Sequence, residues 1–459
     1  MTVEPLTYGE ALEALQRRGR FGIHLGLGRT RAMLRALGDP QRQFRGALVA
    51  GTNGKGSVLA LAGSALRAAG YRIGETPKPH LITYRERLQV DGRPVDTATF
   101  ARLVGTVLAV ADGVARRHGQ PTEFEVLTAV VFVWFAEQDI DLALVEVGLG
   151  GRLDATHAWD GGVAVITGIA LDHTDRLGPT IPRIAREKAA IIERGDLAVT
   201  GAEGDALTVI RRRARRLAVP LTEVTPAPLI GWDRDGISVG LAGLGEIRVG
   251  LRGAHQAANV AVADGLLDAL GVAGIADVGP EARRAGYRDA RWPGRLELIE
   301  LADGGEVLLD GAHNPAGAAA LARALDDLRP FLRGGSNPAG PPITLLTAMM
   351  ADKDVPGTVS ALAAAAALAG ARVITTQVEG PRAMPAAALA AAWTRDDPRV
   401  SATAIPDLRR ALDRALLDAR GPVVVAGSLY LVGEVRRLLV DDPILRDPDD
   451  PATAAVSRR

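Results

Sequence analysis

At 459 residues the chain is longer than one ordinary hydrophobic core supports, so two domains are expected. Its 54 basic and 54 acidic residues cancel, which leaves no global electrostatic case for nucleic acid or an anionic membrane, and 47% hydrophobic content fits a globular protein. The absence of cysteine excludes disulfides, thiolate metal sites and a cysteine nucleophile.

The opening "MTVEPLTYGE" has no basic segment followed by an apolar one, and no uninterrupted apolar run reaches about 18 residues. A cytoplasmic protein with neither secretion signal nor membrane span is therefore the expectation. Lys55, Lys78, Lys188 and Lys353 are the only lysines, and every other basic residue is arginine. A site that needs a compact ammonium, or an amine able to lose its proton, does not accept a guanidinium. The four lysines are thus candidates for chemistry.

The first clear element is "GALVAGTNGKGSVLALAGSALRAAG", a strand, a glycine-rich turn and a helix. Glycines let backbone N–H groups face a phosphate at a helix N-terminus, Lys55 can reach terminal phosphates, and Ser57 can ligate magnesium. The spacing departs from the usual phosphate loop, since only Thr52 and Asn53 separate Gly51 from Gly54, and Gly56 precedes Ser57. The strand "DLALVEVGLGG" is apolar except for Glu146, a carboxylate that needs a partner or a cation. It runs into "GLGGRLDAT", which has some likeness to a dinucleotide fingerprint. The next strand, "VAVITGIALDHTD", ends in Asp172 and His173. Ligands gather at the carboxyl ends of parallel strands, so Glu146 and His173 are expected to meet at one metal.

The helix "TIPRIAREKAAII" places Ile184, Ala185, Lys188, Ala189 and Ile192 near one face. A lysine there either snorkels to solvent or has a lowered pKa. As a neutral amine it could react with carbon dioxide to give a carbamate, an oxygen ligand for magnesium, which an arginine cannot do. "LAVTGA" is a further strand, and "GLAGLGEIRVGLRG" reads as short strands late in the first unit. The pattern breaks at "YRDARWPGRLELIE", which sets a boundary near residue 290. Beyond it, "EVLLDGAH", "ITLLTAMM", "ARVITTQV" and "PVVVAGSL" are strands of a second α/β unit. "RGGSNPAGPP" is read as a surface loop and 446–459 as a disordered tail.

In this order, "VAGTNGKGS", "PHLITYRERLQVDG", "VEVGLGGRLDAT", "ITGIALDHTDRLG", "IAREKAAII", "LRGAHQAANVAVA", "WPGRLE", "LDGAHNPAG" and "GSLYLVGEVR" resemble the dihydrofolate synthase/folylpolyglutamate synthase family of the Mur ligase superfamily. The likeness starts at "FGIHLGLGRTRAMLRALGDPQ" and covers nearly the whole chain. It implies an α/β fold of two domains: residues 1–290 form a phosphate-loop ATPase domain that binds ATP and pteroate, and 291–445 a smaller Rossmann-like domain closing over ATP and glutamate. It implies ATP-dependent amide formation between a pterin-linked carboxylate, dihydropteroate or a folate, and the amine of L-glutamate through an acyl phosphate. ATP and magnesium are the implied cofactors, small molecules the implied partners, with no nucleic acid or membrane, and a monomer is expected.

Carried over by position, the resemblance makes Gly51, Thr52, Asn53, Gly54, Lys55, Gly56 and Ser57 the ATP phosphate loop. Ser57, Glu146 and His173 become magnesium ligands, and Lys188 the carbamylated lysine. Lys55, Glu146, His173 and Lys188 form the catalytic set. Asn259, Arg295, Asp310 and His313 become ATP-site residues. Thr122, Glu123, Phe124 and Glu125, with Leu153, Asp154 and Ala155, match segments lining the pteroate pocket. Two departures stand out. Lys78 replaces a serine that the family associates with magnesium, and is expected to contact phosphate or substrate carboxylate. Glu123 and His157 replace an apolar or aromatic residue and an asparagine. A peptidoglycan-precursor Mur ligase, a dinucleotide-dependent oxidoreductase and a non-catalytic nucleotide-binding module remain the competing readings.

Overall fold

A computed structural model describes residues 6–19, 26–335, 340–396 and 400–448. The start of "FGIHLGLGRT", the middle of "RGGSNPAGPP" and residues 449–459 of the expected tail lie outside the described residues. The described residues form two compact units, one within 1–226, 259–287 and 442–459, the other within 227–258 and 288–441. Residues 227–258 were expected in the first unit, and 442–445 in the second.

In the first unit, eight strands form one sheet: β1 (Arg45–Ala50), β2 (Ile73–Thr76), β3 (Gln89–Val90), β4 (Arg93–Pro94), β5 (Leu142–Glu146), β6 (Gly162–Ile166), β7 (Leu197–Thr200) and β8 (Leu221–Glu223). Their order is β4-β3-β2-β5-β1-β6-β7-β8. All neighbours from β2 to β8 are parallel, and β3 and β4 add an antiparallel edge. All of β5 is buried, and β1 is buried after Arg45, the continuous apolar burial expected of parallel strands covered on both faces. After β1 the chain crosses to β2 on one side, whereas β6 lies on the other. The crevice beyond the carboxyl end of β1 is therefore a topological switch point, where ligands collect in open α/β sheets.

Gly46 has φ +150°, and a Cβ there would stand 1.9 Å from Ala143 O, so only glycine lets β1 lie this close to β5. The helix Thr97–His118 is long and apolar enough to cross a membrane, but Phe100, Leu103, Val104, Val107 and Ala111 along it are buried in the core of this unit.

In the second unit, β9 (Leu229–Asp233), β10 (Gly236–Leu241) and β11 (Gly245–Val249) form an antiparallel meander. Strands β12 (Glu297–Glu300), β13 (Glu306–Leu309), β14 (Thr344–Thr347), β15 (Arg372–Thr375), β16 (Ser401–Ala404) and β17 (Val423–Ala426) form a sheet ordered β12-β13-β17-β14-β15-β16, parallel except at β12. The meander joins this unit through Arg234, which pairs with Glu300 at 2.5 Å and Glu306 at 2.7 Å, and through Trp232 Nε1, which donates to Asp327 O. Those contacts are distant in sequence, which is why strand periodicity alone placed the meander with its chain neighbours.

Candidate active site

The turn after β1 is shaped by what surrounds its glycines. A Cβ on Gly51 would lie 1.8 Å from Thr167 Oγ1, and one on Gly54, at φ +88°, 2.3 Å from Asn259 Oδ1. Thr167 Oγ1 donates to Asn53 O at 2.7 Å, and Thr52 Oγ1 bridges to Ala170. The turn is thus held from β6 and from the helix Gln256–Val272, and it delivers Lys55 as the first residue of the helix Lys55–Ala68. Ser57, two residues further along, is buried. Asn259 was expected here; Thr167 was not, although it directly follows an apolar strand.

Register places Glu146 beside Val49, at the same sheet edge. Its Oε2 accepts from the Lys78 backbone N–H at 2.9 Å, and Lys55 Nζ lies 3.7 Å from its Oε1. Lys78 holds Glu146 from both ends, since its Nζ donates to Glu146 O at 2.6 Å and also to Thr76 Oγ1. That ammonium lies 5.7 Å over the Phe124 ring. Burial lowers its pKa to about 8, with Asp154 and Glu146 opposing the fall.

Lys188 does not snorkel. It is buried, and its Nζ donates to Gly51 O at 2.7 Å, the carbonyl that Lys55 Nζ also reaches at 3.1 Å. Burial first, then repulsion from Lys55, lowers its pKa to about 7. Its helix, Ile181–Ala189, comes close because of the glycines in "GLGG". A Cβ on Gly151 would meet Ile191 Cγ2 at 2.8 Å and Glu187 O at 2.9 Å, and Arg152 N donates to Glu187 O. Helix packing accounts for the glycines that favoured a dinucleotide reading.

His173 has φ 49° and a side chain 44% exposed, with Nε2 3.9 Å from Asp172 Oδ2. Among the described residues no three histidine, aspartate or glutamate side chains gather as a metal nest. Glu146 and His173 are therefore not part of a ready-made set of that kind.

In the segment matched to a pteroate pocket, Thr122 and Glu125 form a capping box at the start of the helix Glu123–Glu137. Glu125 also takes Arg29 Nε on both oxygens, at 3.0 and 2.9 Å. Glu123 Oε1 accepts from Tyr84 Oη at 2.8 Å, whose ring lies 4.4 Å from His80. His80 Nδ1 accepts from Arg87 Nε, and burial lowers its pKa to about 3, so the ring is neutral. Asp154 latches the glycine loop: Oδ2 accepts from Leu149 N, and Oδ1 from Thr156 N and Oγ1. Leu153 O accepts from Gly26 N, and Ala155 is buried. His157, also buried, lies 3.3 Å from Glu193. His80, Tyr84 and Arg87 lay within a quoted motif, "PHLITYRER", but nothing in their spacing singled them out.

In the second unit, Asp310 directly follows β13 and accepts from Leu296 N and Ala312 N. Burial raises its pKa, while Arg295 and those two N–H groups oppose the rise. Arg295 Nη1 donates to Gly294 O, and a Cβ on Gly311 would meet it at 2.2 Å. His313 Nδ1 lies 2.8 Å from Gly311 O.

Residues 294–429 match the Mur ligase, glutamate ligase domain. The dihydrofolate synthase/folylpolyglutamate synthase of Bacillus subtilis is 38% identical over 329 residues, 69% of this chain and 76% of that protein. The Mycobacterium tuberculosis protein of the same name is 36% identical over 466 residues, 92% of this chain and 91% of its own. The chain belongs to the dihydrofolate synthase/folylpolyglutamate synthase family. Solved members of this family share its architecture. Mycobacterium tuberculosis folylpolyglutamate synthase complexed with ADP and AMPPCP matches with TM-score 0.81 at 31% identity, covering 94% of this chain and 100% of that one. Escherichia coli FolC in complex with DHPP and ADP gives 0.78 at 28%, with 94% and 98% covered. The Yersinia pestis bifunctional enzyme complexed with AMPPNP and a Mn ion gives 0.78 at 29%, with 96% and 100% covered.

Proposed function

We propose that this enzyme is an ATP-dependent ligase that joins L-glutamate to dihydropteroate, to folates or to both. The carrying observation is the convergence, at the switch point of the first sheet, of the Gly51–Ser57 turn, Lys55, Lys188 and Glu146 in a chain whose family relatives match along nearly its full length.

A carboxylate does not acylate an amine until one of its oxygens becomes a leaving group. In the proposed sequence a carboxylate oxygen of the acceptor attacks the γ-phosphorus of ATP and ADP departs, leaving an acyl phosphate. The glutamate amine then attacks the carbonyl carbon, gives up a proton, and the tetrahedral intermediate expels phosphate. In the phosphoryl-transfer step the attacking carboxylate and the transferred group are both anionic, so positioning and charge neutralisation dominate. Lys55 supplies an ammonium at the turn. Lys78, between Glu146 and Phe124, is proposed to meet the acceptor carboxylate or the transferring phosphate.

The buried Glu146 carboxylate and Ser57 hydroxyl are oxygen donors of the kind a hard divalent cation takes, and with the partly exposed His173 imidazole they are the residues proposed to hold it. Such a cation would neutralise charge on the phosphoryl group. A carbamate at Lys188 would complete the set: the neutral amine bonds to the carbon of carbon dioxide and releases a proton. Geometry supports this role, because two amines on the Gly51 carbonyl repel, and a carbamate replaces one of them with an anion. Asn259, Arg295, Asp310 and His313 are proposed as nucleotide contacts.

Assaying purified protein with dihydropteroate and with tetrahydrofolate in parallel tests the proposed activity. A product heavier by one glutamate residue with at least one acceptor is expected, and no new amide with either would overturn it.

A further inference from the structure

The last described stretch, 442–448, belongs to the first unit, and Asp447 ties the helix Tyr8–Gly19 to the turn Tyr84–Arg87 and its cap. One carboxylate oxygen accepts from Tyr8 Oη at 2.9 Å, the other from Thr83 Oγ1 at 2.9 Å and from Arg85 Nε at 3.1 Å. Arg85 is 4% exposed and donates further to Val95 O at 3.1 Å, Ile444 O at 2.8 Å and Arg446 O at 3.0 Å. Tyr8 packs on Phe100 with ring centroids 5.5 Å apart, and burial raises the pKa of its phenol. A buried guanidinium is stable only with such pairing, so this segment is built into the unit.

Two of the gripped residues, Thr83 and Arg85, lie on the short turn Tyr84–Arg87 and its cap. Glu86 accepts from the N–H groups of Leu81, Ile82 and Thr83, so its carboxylate braces the turn. Along it the other side chains divide between two destinations. Thr83 and Arg85 go to Asp447, whereas Tyr84 goes to His80 and Glu123, and Arg87 to His80. The same loop begins at Lys78 beside Phe124. Together these aromatic and cationic groups suit a flat acceptor bearing a carboxylate.

We propose that residues 442–448 form a strap, with Asp447 its positioning residue, that fixes the loop 78–87 against the start of the helix Glu123–Glu137 and so sets affinity for the aromatic carboxylate acceptor. The Asp447 carboxylate grips Tyr8, Thr83 and Arg85 and touches no residue of the phosphate turn 51–57, so acceptor affinity is expected to depend on it far more than nucleotide affinity. The acceptor's identity rests on the function proposed above; the mechanical claim does not.

Asp447→Ala and Asp447→Asn in the full chain test this, with Tyr8→Phe as a milder variant that keeps the Arg85 pair. KM for whichever acceptor the wild type uses, KM for ATP, kcat and amide hydrogen exchange of 78–90 are measured together. For Asp447→Ala, acceptor KM is expected to rise about 5- to 20-fold with ATP KM within about 2-fold, the mark of lost ground-state binding, while exchange through 78–90 accelerates. Asn, which keeps an acceptor oxygen for Thr83, gives a smaller rise, and Tyr8→Phe the smallest, in the same pattern. Unchanged exchange at 78–90, or equal changes in both KM values, would overturn the strap. Should Asp447→Ala fail to fold, the Asn and Phe variants decide by the same criteria. A wild type that adds no glutamate counts against the proposed function alone, and the exchange result still decides the strap.

Discussion

Gly51 O accepts from Lys188 Nζ at 2.7 Å and from Lys55 Nζ at 3.1 Å, an arrangement that crowds two amines on one carbonyl. Lys188→Arg replaces an amine that can be carboxylated with a bulkier group that cannot. The variant is expected to fold, losing about 1–3 kcal/mol to overpacking, and to lose about a hundredfold or more in kcat. Intact mass of the wild type under bicarbonate should show the added mass of one carbon dioxide, and the arginine variant should not. An active arginine variant would refute the carbamate role. These two lysines were legible because arginine is the default cation elsewhere, so each exception asks for a reason. Their convergence on one carbonyl was not legible, since it arises from helix and strand packing across 137 positions of sequence. Lys353 shows the limit of the rule: it sits in the turn before Asp354, whose carboxylate accepts from Gly357 N at the start of the helix Val355–Ala363.

Thr122-Glu123-Phe124-Glu125 is an element-scale case. Read as a pocket lining, it also has the T-x-x-E spacing of a capping box, and the structure uses it as one. Glu125 is 3% exposed and binds the Thr122 N–H and Arg29 together. Glu125→Ala should therefore lower stability by about 3–5 kcal/mol by leaving Arg29 without its carboxylate, read as a shift in urea midpoint at unchanged slope. A shift below about 1 kcal/mol would show that Arg29 simply turns to solvent. The strands carrying Gly51, Glu146 and Asp310 were legible because fully buried parallel strands read as continuous apolar runs. The glycine cluster 148–151 was visible too, yet its purpose needed the helix that packs on it.

At the scale of the molecule, alternation of apolar strands with helical stretches announced two α/β units. The order β4-β3-β2-β5-β1-β6-β7-β8, the meander's allegiance and the return of 442–448 all depend on pairings remote in sequence. Stability of the whole chain carries a pH signature from Asp196, which is 3% exposed. Burial, with repulsion from Asp160 and Glu193, raises its pKa to about 7. A carboxyl whose folded pKa exceeds its unfolded value favours folding below the unfolded value, and that contribution is lost as pH climbs through about 7. The melting temperature of Asp196→Asn should gain on the wild type as pH rises from about 4 to about 7 and keep that gain near pH 8. Parallel curves for the two proteins would remove this assignment. The most direct test of the ligase assignment is ADP release by the wild-type enzyme with magnesium and ATP. Sustained release is expected only when a pteroate or folate and L-glutamate are both present, and release that ignores either substrate would contradict it.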